Sequence, residues 1–322
     1  MKNKPILIVA GEPNSIFLEI FFKSLKLKNI KSPIILIVSL KTFLVQMKYL
    51  RFNYKYILHD YKNLEINKIK KNIINIINVD YDSKKIFEKI SKKSKKYIEN
   101  CFDVALQIIK SGITNKFING PISKKNFLDK KYLGITEYLA EKTQTKNYAM
   151  LIYNEKLSVS PITTHLPLSL VSRKISKNSI INKIKLIDNF YRDILKRKPK
   201  IAIAGMNPHC ESIKSYNEDS EILLPCVKNL RKKINIIGPL SADTLFLKDN
   251  RKKYDIIIGM YHDQVLTPIK TLFEFNAINI TMGLPFLRVT PDHGPNEAMF
   301  HKNISNPKSL IEALKFLDKY AA

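Results

Sequence analysis

At 322 residues the chain is long enough to bury a sizeable core and to divide into two domains of ordinary size. Its 45% hydrophobic and 26% charged residues exclude a disordered chain, and no run of about eighteen apolar residues marks a membrane-spanning helix. The formal net charge of +27 does not indicate a nucleic-acid partner, because only seven of the 55 basic residues are arginine and the lysines are scattered along the whole chain.

The first apolar run, PILIVA (5–10), is too short for a signal peptide and meets Gly11 and Glu12 instead of a cleavage site, so it predicts a β-strand. SIFLEIFFKSLKL (15–27) predicts a helix, PIILIVS (33–39) a strand, and KTFLVQMKYL (41–50) a second helix. The lysine-rich stretch over about 60–100 reads as a solvated pair of helices with a short strand between them. KFINGPI (116–122), YAMLIYN (148–154) and KLSVSPI (156–162) form a second cluster of strands, and 176–196 has helical spacing. KIAIAGMNPH (200–209), INIIGPLSADTLF (234–246) and YDIIIGMYHDQ (254–264) each repeat an apolar run followed by polar groups, and NPKSLIEALKFLDKY (306–320) predicts a terminal helix. This alternation specifies an α/β fold with mostly parallel strands covered by helices. Three cysteines without CxxC spacing indicate neither a disulfide framework nor a cysteine zinc site, and a cytoplasmic protein is the simple reading.

Ligands of open α/β sheets collect beyond the carboxyl ends of the strands. Three of the six histidines follow apolar runs in that position: His165, His209 and His262. Any one alone reads as a satisfied loop histidine; the three together suggest ligands of one divalent ion. His293 lies in a turn-rich loop suited to a cleft border, while His59 and His301 read as surface residues. Lys270, Asn279 and Arg288 recur every nine residues, and lysine and arginine suit phosphate oxygens. GxGxxG, P-loop and GxSxG patterns are absent from the sequence. The residues alone describe a metal-assisted enzyme acting on an anionic small molecule.

The segments NGPISK (119–124), GITEYLAEKT (134–143), THLPL (164–168), GMNPH (205–209), GPLSADTLF (238–246), MYHDQ (260–264), NITMGLPFLR (279–288) and DHG (292–294) occur in this order. The sequence thereby resembles the 4-hydroxythreonine-4-phosphate dehydrogenase family of vitamin B6 biosynthesis from its first strand to beyond residue 295. The resemblance implies a fold like that of isocitrate and isopropylmalate dehydrogenases, with two α/β domains flanking a cleft and NAD bound without the Rossmann fingerprint (NADP being possible). The first domain is expected over 1–118 plus about 285–322, and the second, with the dimer interface, over about 119–284.

By the same resemblance, His165, His209 and His262 match the ligands of a divalent metal (zinc, cobalt, magnesium or manganese), with His262 expected from the partner of a homodimer whose subunits share the active site. Thr136, Lys270, Asn279 and Arg288 match substrate-binding residues, and Asp243 and Asp263 sit in motifs near the catalytic centre. The implied activity is metal-dependent, NAD(P)-linked oxidation and decarboxylation of 4-phosphohydroxy-L-threonine to 3-amino-2-oxopropyl phosphate in pyridoxal 5′-phosphate biosynthesis. No nucleic acid or membrane partner is expected.

Three departures qualify the match. The family reads Gly-His-Thr-Glu where this chain has Gly134-Ile135-Thr136-Glu137, so a substrate-contacting histidine is replaced by a side chain that cannot hydrogen-bond. The loop 11–20 lacks the later glycines of the family, and residues 210–221 replace a glycine-rich stretch. These changes raise two alternatives: a dehydrogenase for threonate or erythronate 4-phosphate, and a catalytically inactive metabolite-binding homologue.

Overall fold

The computed structural model describes residues 3–27, 30–83, 85–129, 131–211, 216–274, 276–291 and 293–320. In chain order, the first unit opens with β1 (Ile6–Val9), α1 (Phe17–Ser24), β2 (Ile34–Val38), α2 (Leu40–Tyr49), β3 (Tyr56–Leu58), β4 (Ile74–Asn78), α3 (Lys95–Lys110), β5 (Lys116–Asn119) and α4 (Lys124–Phe127). Helix α5 (Ile135–Lys142) leads into the second unit, which contains β6 (Ala149–Tyr153), β7 (Ser158–Pro161), α6 (Leu168–Lys174), α7 (Lys177–Asp193), β8 (Ile201–Ala204), α8 (Leu224–Leu230), β9 (Ile236–Leu240), α9 (Ala242–Leu245), α10 (Lys248–Arg251), β10 (Ile256–Gly259), α11 (His262–Phe273) and β11 (Ile278–Met282). The chain then returns to the first unit as β12 (Leu287–Thr290) and α12 (Lys308–Tyr320).

Unit 1 comprises Met1–Leu139 and Pro285–Ala322, and unit 2 comprises Ala140–Leu284. The sequence suggests a first crossing near residue 118, whereas the crossing lies after Leu139. Phe127 and Tyr138 explain the extension: both rings pack edge-on against each other at 5.2 Å and on Phe102 of α3, which keeps α4 and the start of α5 with unit 1.

In unit 1 the strands run in the order β3-β4-β2-β1-β5-β12, all parallel. β1 is buried on both faces, so Ile6, Leu7, Ile8 and Val9 form an unbroken apolar run with no alternation. α1 places Phe21 and Phe22 in the core, where Phe22 meets Phe43 of α2 edge-on at 5.3 Å. The expected helix pair over 60–100 is absent among the described residues. Before β4 there are only single 3-10 turns at Tyr61–Asn63 and Ile66–Lys68, and the one long helix, α3, starts at Lys95. Leu64, Ile66 and Ile69 are too sparse among lysines to make an apolar stripe, and Ile66 remains exposed.

In unit 2 the order is β11-β6-β7-β10-β8-β9, with antiparallel pairing from β11 to β7 and parallel pairing from β7 to β9. Ile256, Ile257 and Ile258 of the central strand β10 are fully buried. Each contributes about 2–3 kcal/mol by leaving water. Val265, Leu266 and Ile269 form the inner stripe of α11 and join the same core as Val159 and Ile257. That stripe lays α11 against the sheet directly after β10 ends.

Candidate functional site

The parallel neighbours β7, β10 and β8 have Pro161 opposite Gly259 and Ile258 opposite Ile203. Their carboxyl ends therefore open on one edge of unit 2. His165 lies four residues past β7, His262 three past β10 and His209 five past β8, so sheet order brings three distant sequence positions to that edge.

Local hydrogen bonds fix two of them closely. The backbone N–H and the hydroxyl of Thr163 both donate to the Met260 carbonyl, at 3.1 and 2.7 Å, and the Ile162 N–H donates to Gly259 at 2.8 Å. With the strand ends clasped in this way, the His165 and His262 rings stand 5.8 Å apart, centroid to centroid. Gln264 ties the third strand to them. Its Oε1 accepts from the Met260 N–H at 2.7 Å and its Nε2 donates to the Gly205 carbonyl at 2.7 Å, bridging the ends of β10 and β8.

Nδ1 of His262 is 2.6 Å from Oδ1 of Asp263. An ionised carboxylate only accepts, so Nδ1 carries the proton and Nε2 keeps its lone pair for a ligand. Asp263 thus orients the imidazole, with its own side chain largely exposed.

Ring centroids of two imidazoles sharing one ion stand roughly 5–6 Å apart, given nitrogen–metal bonds of about 2.1 Å. The His165–His262 pair and its tautomer fit a divalent ion. The resemblance implies that His262 comes from a partner subunit, but here it adjoins His165 of its own chain. His209 is exposed and held at φ 54° on the turn Pro208–Cys210. It does not close with the other two: among the described residues no group of three or more His, Cys, Asp or Glu side chains could hold a metal ion. Asp243 lies at the same edge in the first turn of α9, which packs on the turn carrying His209.

Lys270, Asn279 and Arg288, evenly spaced in sequence, lie on three different elements. Lys270 is exposed in the last turn of α11, about 12 Å along the helix axis from His262. Asn279 sits on β11 opposite Ile152, with its Nδ2 3.5 Å from the Met150 sulfur. Arg288 is on β12 in unit 1 and is buried. Its Nε donates to Asn119 Oδ1 and its Nη1 to Thr136 Oγ1, both at 2.8 Å. Burial pushes its pKa down and the nearby Glu137 carboxylate pushes it back up; the guanidinium stays charged at neutral pH. Arg288 therefore holds Thr136 in the first turn of α5, one residue after Ile135.

Sequence reasoning assigned no role to Gln264 or Glu12, although each follows a buried strand within a few residues. Glu12 is buried in unit 1; its Oε2 accepts from the Ser94 hydroxyl at 2.7 Å and its Oε1 from the Asn14 N–H at 3.3 Å. Desolvation raises its pKa to about 7, against the pull of those hydrogen bonds. The remaining histidines all belong to unit 1. His59 pairs with Asn75 at 2.9 Å, His301 with the Tyr49 hydroxyl at 2.9 Å, and His293 stacks near Phe17. Asp292 of the DHG segment and residues 212–215 of the altered loop lie outside the described residues.

The family model for "Pyridoxal phosphate biosynthetic protein PdxA" matches residues 30–317. A 4-hydroxythreonine-4-phosphate dehydrogenase from Sulfurihydrogenibium sp. (strain YO3AOP1) is 39% identical, with 96% of each chain covered. A D-threonate 4-phosphate dehydrogenase from Salmonella typhimurium is 30% identical, over 91% of this chain and 92% of that one. Among solved structures, a 4-hydroxythreonine-4-phosphate dehydrogenase from Klebsiella pneumoniae superimposes with a TM-score of 0.83 at 28% identity, covering 98% of both chains. An isocitrate dehydrogenase from Methylococcus capsulatus shares the fold at a TM-score of 0.51 and 11% identity, over 97% of this chain and 84% of that one.

Proposed function

Because the chain belongs to the PdxA family of pyridoxal phosphate biosynthetic proteins, we propose that it oxidises and decarboxylates 4-phosphohydroxy-L-threonine to 3-amino-2-oxopropyl phosphate. The observation that carries this reading is the edge of unit 2, where three adjacent parallel strands deliver His165, His262 and His209. His165, His209 and His262 would hold the metal, with a second copy of the chain in a homodimer completing the shell. When bound, the divalent ion supplies a Lewis acid for the reacting hydroxyl, and NAD or NADP supplies the hydride acceptor.

The residues of this chain orient and bind. Asp263 keeps the proton on Nδ1 of His262. Asp243, in the first turn of α9, would take a proton from substrate. Arg288 places the Thr136 hydroxyl, and Thr136, Lys270 and Asn279 contact the substrate, with Lys270 supplying a point charge for phosphate. Such positioning lowers the barrier by holding the reacting carbon in place.

A second reading, oxidation of threonate or erythronate 4-phosphate, is favoured by Ile135, which stands next to Thr136 and offers a substrate amine or hydroxyl no partner. The relative from Salmonella typhimurium carries a name of that kind. The test is reduced-cofactor formation by the purified protein with each substrate in turn, with cobalt or magnesium present, for the native chain, His262→Ala and Ile135→His. Turnover of the amino-acid phosphate that His262→Ala abolishes supports the first reading. A higher kcat/KM on a sugar-acid phosphate, reversed by Ile135→His, transfers the assignment to the second. No turnover of any of these substrates by native protein that binds metal refutes both.

A further inference from the structure

We propose that Asp219 is the positioning residue for His209. The inference rests on His209 being a metal ligand. His209 and Cys210 occupy consecutive left-handed conformations, φ 54° and 63°, without glycine at either position. Such backbone persists only where its surroundings over-determine it. The over-determination here comes from a three-residue stretch, Asn217–Asp219, that approaches the turn from outside.

Asp219 is 1% exposed. Its Oδ1 accepts from the Met206 N–H at 2.7 Å, and its Oδ2 accepts from the Asn207 N–H at 2.9 Å and from Asn207 Nδ2 at 3.0 Å. One carboxylate thus takes up both backbone donors that immediately precede Pro208 and His209. On the far side of the histidine, Asn217 Nδ2 donates to the Cys210 carbonyl at 3.2 Å, while Asn217 Oδ1 accepts from the Asp219 N–H at 2.9 Å. The strained pair is therefore bracketed before and after.

Two further features show that the approach is built in. A Cβ on Gly205 would lie 2.5 Å from the Cys210 sulfur and 3.2 Å from Asp219 Oδ1, so the absence of a side chain at position 205 lets the turn and the carboxylate pack this closely. Asp219 also opens a π-helical turn, Asp219–Leu223, ahead of α8, an irregularity that sets the carboxylate inward; such turns concentrate at functional sites. Removing the carboxylate leaves two N–H groups without acceptors and frees His209 to relax toward ordinary backbone angles. The ligand's direction changes while the ligand itself remains. Partners that orient metal ligands in this way typically change affinity by about 10–100-fold.

The experiment is titration with cobalt(II) alone, followed by visible absorption, of native protein, His209→Ala, Asp219→Ala and Asp219→Asn, each checked for native circular dichroism. The expected result is weaker cobalt binding by about tenfold or more in Asp219→Ala with an altered absorption band, and a smaller loss in Asp219→Asn, which retains one carbonyl acceptor. If His209→Ala weakens cobalt but both Asp219 variants bind like native protein, the positioning role is overturned and the ligand reading stands. If His209→Ala binds cobalt with native affinity and spectrum, the ligand reading itself has failed. Should Asp219→Ala not fold, Asp219→Asn decides the matter: native affinity and band overturn the proposal.

Discussion

Replacing Glu12 with glutamine isolates the energetic consequence of burying a carboxyl group with one strong hydrogen bond. Desolvation raises its pKa from 4.5 to about 7, and the like charge of Glu297 adds to that rise. The folded chain therefore binds the Glu12 proton more tightly than the unfolded chain between those two values, so stability falls as pH climbs through the window and levels off above it. At about 1.36 kcal/mol per pKa unit, the ionised carboxylate costs the folded state about 3 kcal/mol by pH 8. Glutamine keeps a carbonyl acceptor for Ser94 or Asn14 and carries no charge at any pH, and the Ser94 hydroxyl has the Ser91 carbonyl as a second acceptor at 3.1 Å. Urea denaturation of both proteins at half-unit steps from pH 4.5 to 8 measures the difference directly. The native chain is expected to lose about 3 kcal/mol relative to Glu12→Gln across that range. A difference between the two that does not change with pH refutes the argument.

Arg288→Met removes the guanidinium near the partly buried Glu137 together with its hydrogen bonds to Asn119 and Thr136, and is expected to destabilise by about 1–3 kcal/mol in urea, with partial recovery in Arg288→Met/Glu137→Gln. An unchanged urea midpoint for the single variant would show that Glu137 does not depend on the guanidinium. At Gly120 a Cβ would meet the Ala10 carbonyl oxygen at 2.2 Å and the Ala10 carbonyl carbon at 2.8 Å, both backbone atoms that cannot turn aside. Gly120→Ala should therefore cost about 3 kcal/mol or more by the same assay, and a loss below about 1 kcal/mol would contradict that packing.

The α/β character was legible because the central strands are buried on both faces and read as continuous runs, as in IAIA of β8 and IIIG of β10. The strand-end histidines were legible for the same reason: polar groups directly after such runs must emerge at a carboxyl edge. What the sequence could not supply was strand order. The adjacency of β7 and β10, which pairs His165 with His262, spans nearly a hundred residues and leaves no local trace. The regular spacing of Lys270, Asn279 and Arg288 carries no structural period, because it runs across a helix and two strands. Glu12 was hidden by its type, since an acid after a glycine ordinarily signals an exposed turn; only the Ser94 and Tyr81 surroundings reveal its burial. The lysine-rich stretch gave length and polarity without period, and no helix pair forms there among the described residues.

The passage of the chain out of unit 1 and back has a consequence for synthesis. β5 pairs with β1 on one side and β12 on the other, yet about 170 residues separate Asn119 from Leu287. At about 5–20 residues per second, roughly 8–35 s pass between the emergence of β5 and that of its second partner. Throughout that interval the nascent first unit carries an open, apolar strand edge and lacks α12, which buries Leu310, Leu314 and Leu317. All of the second unit's residues leave the ribosome within the same interval. The part begun first is thus the last to be finished, and its newborn form is the one that chaperones would meet.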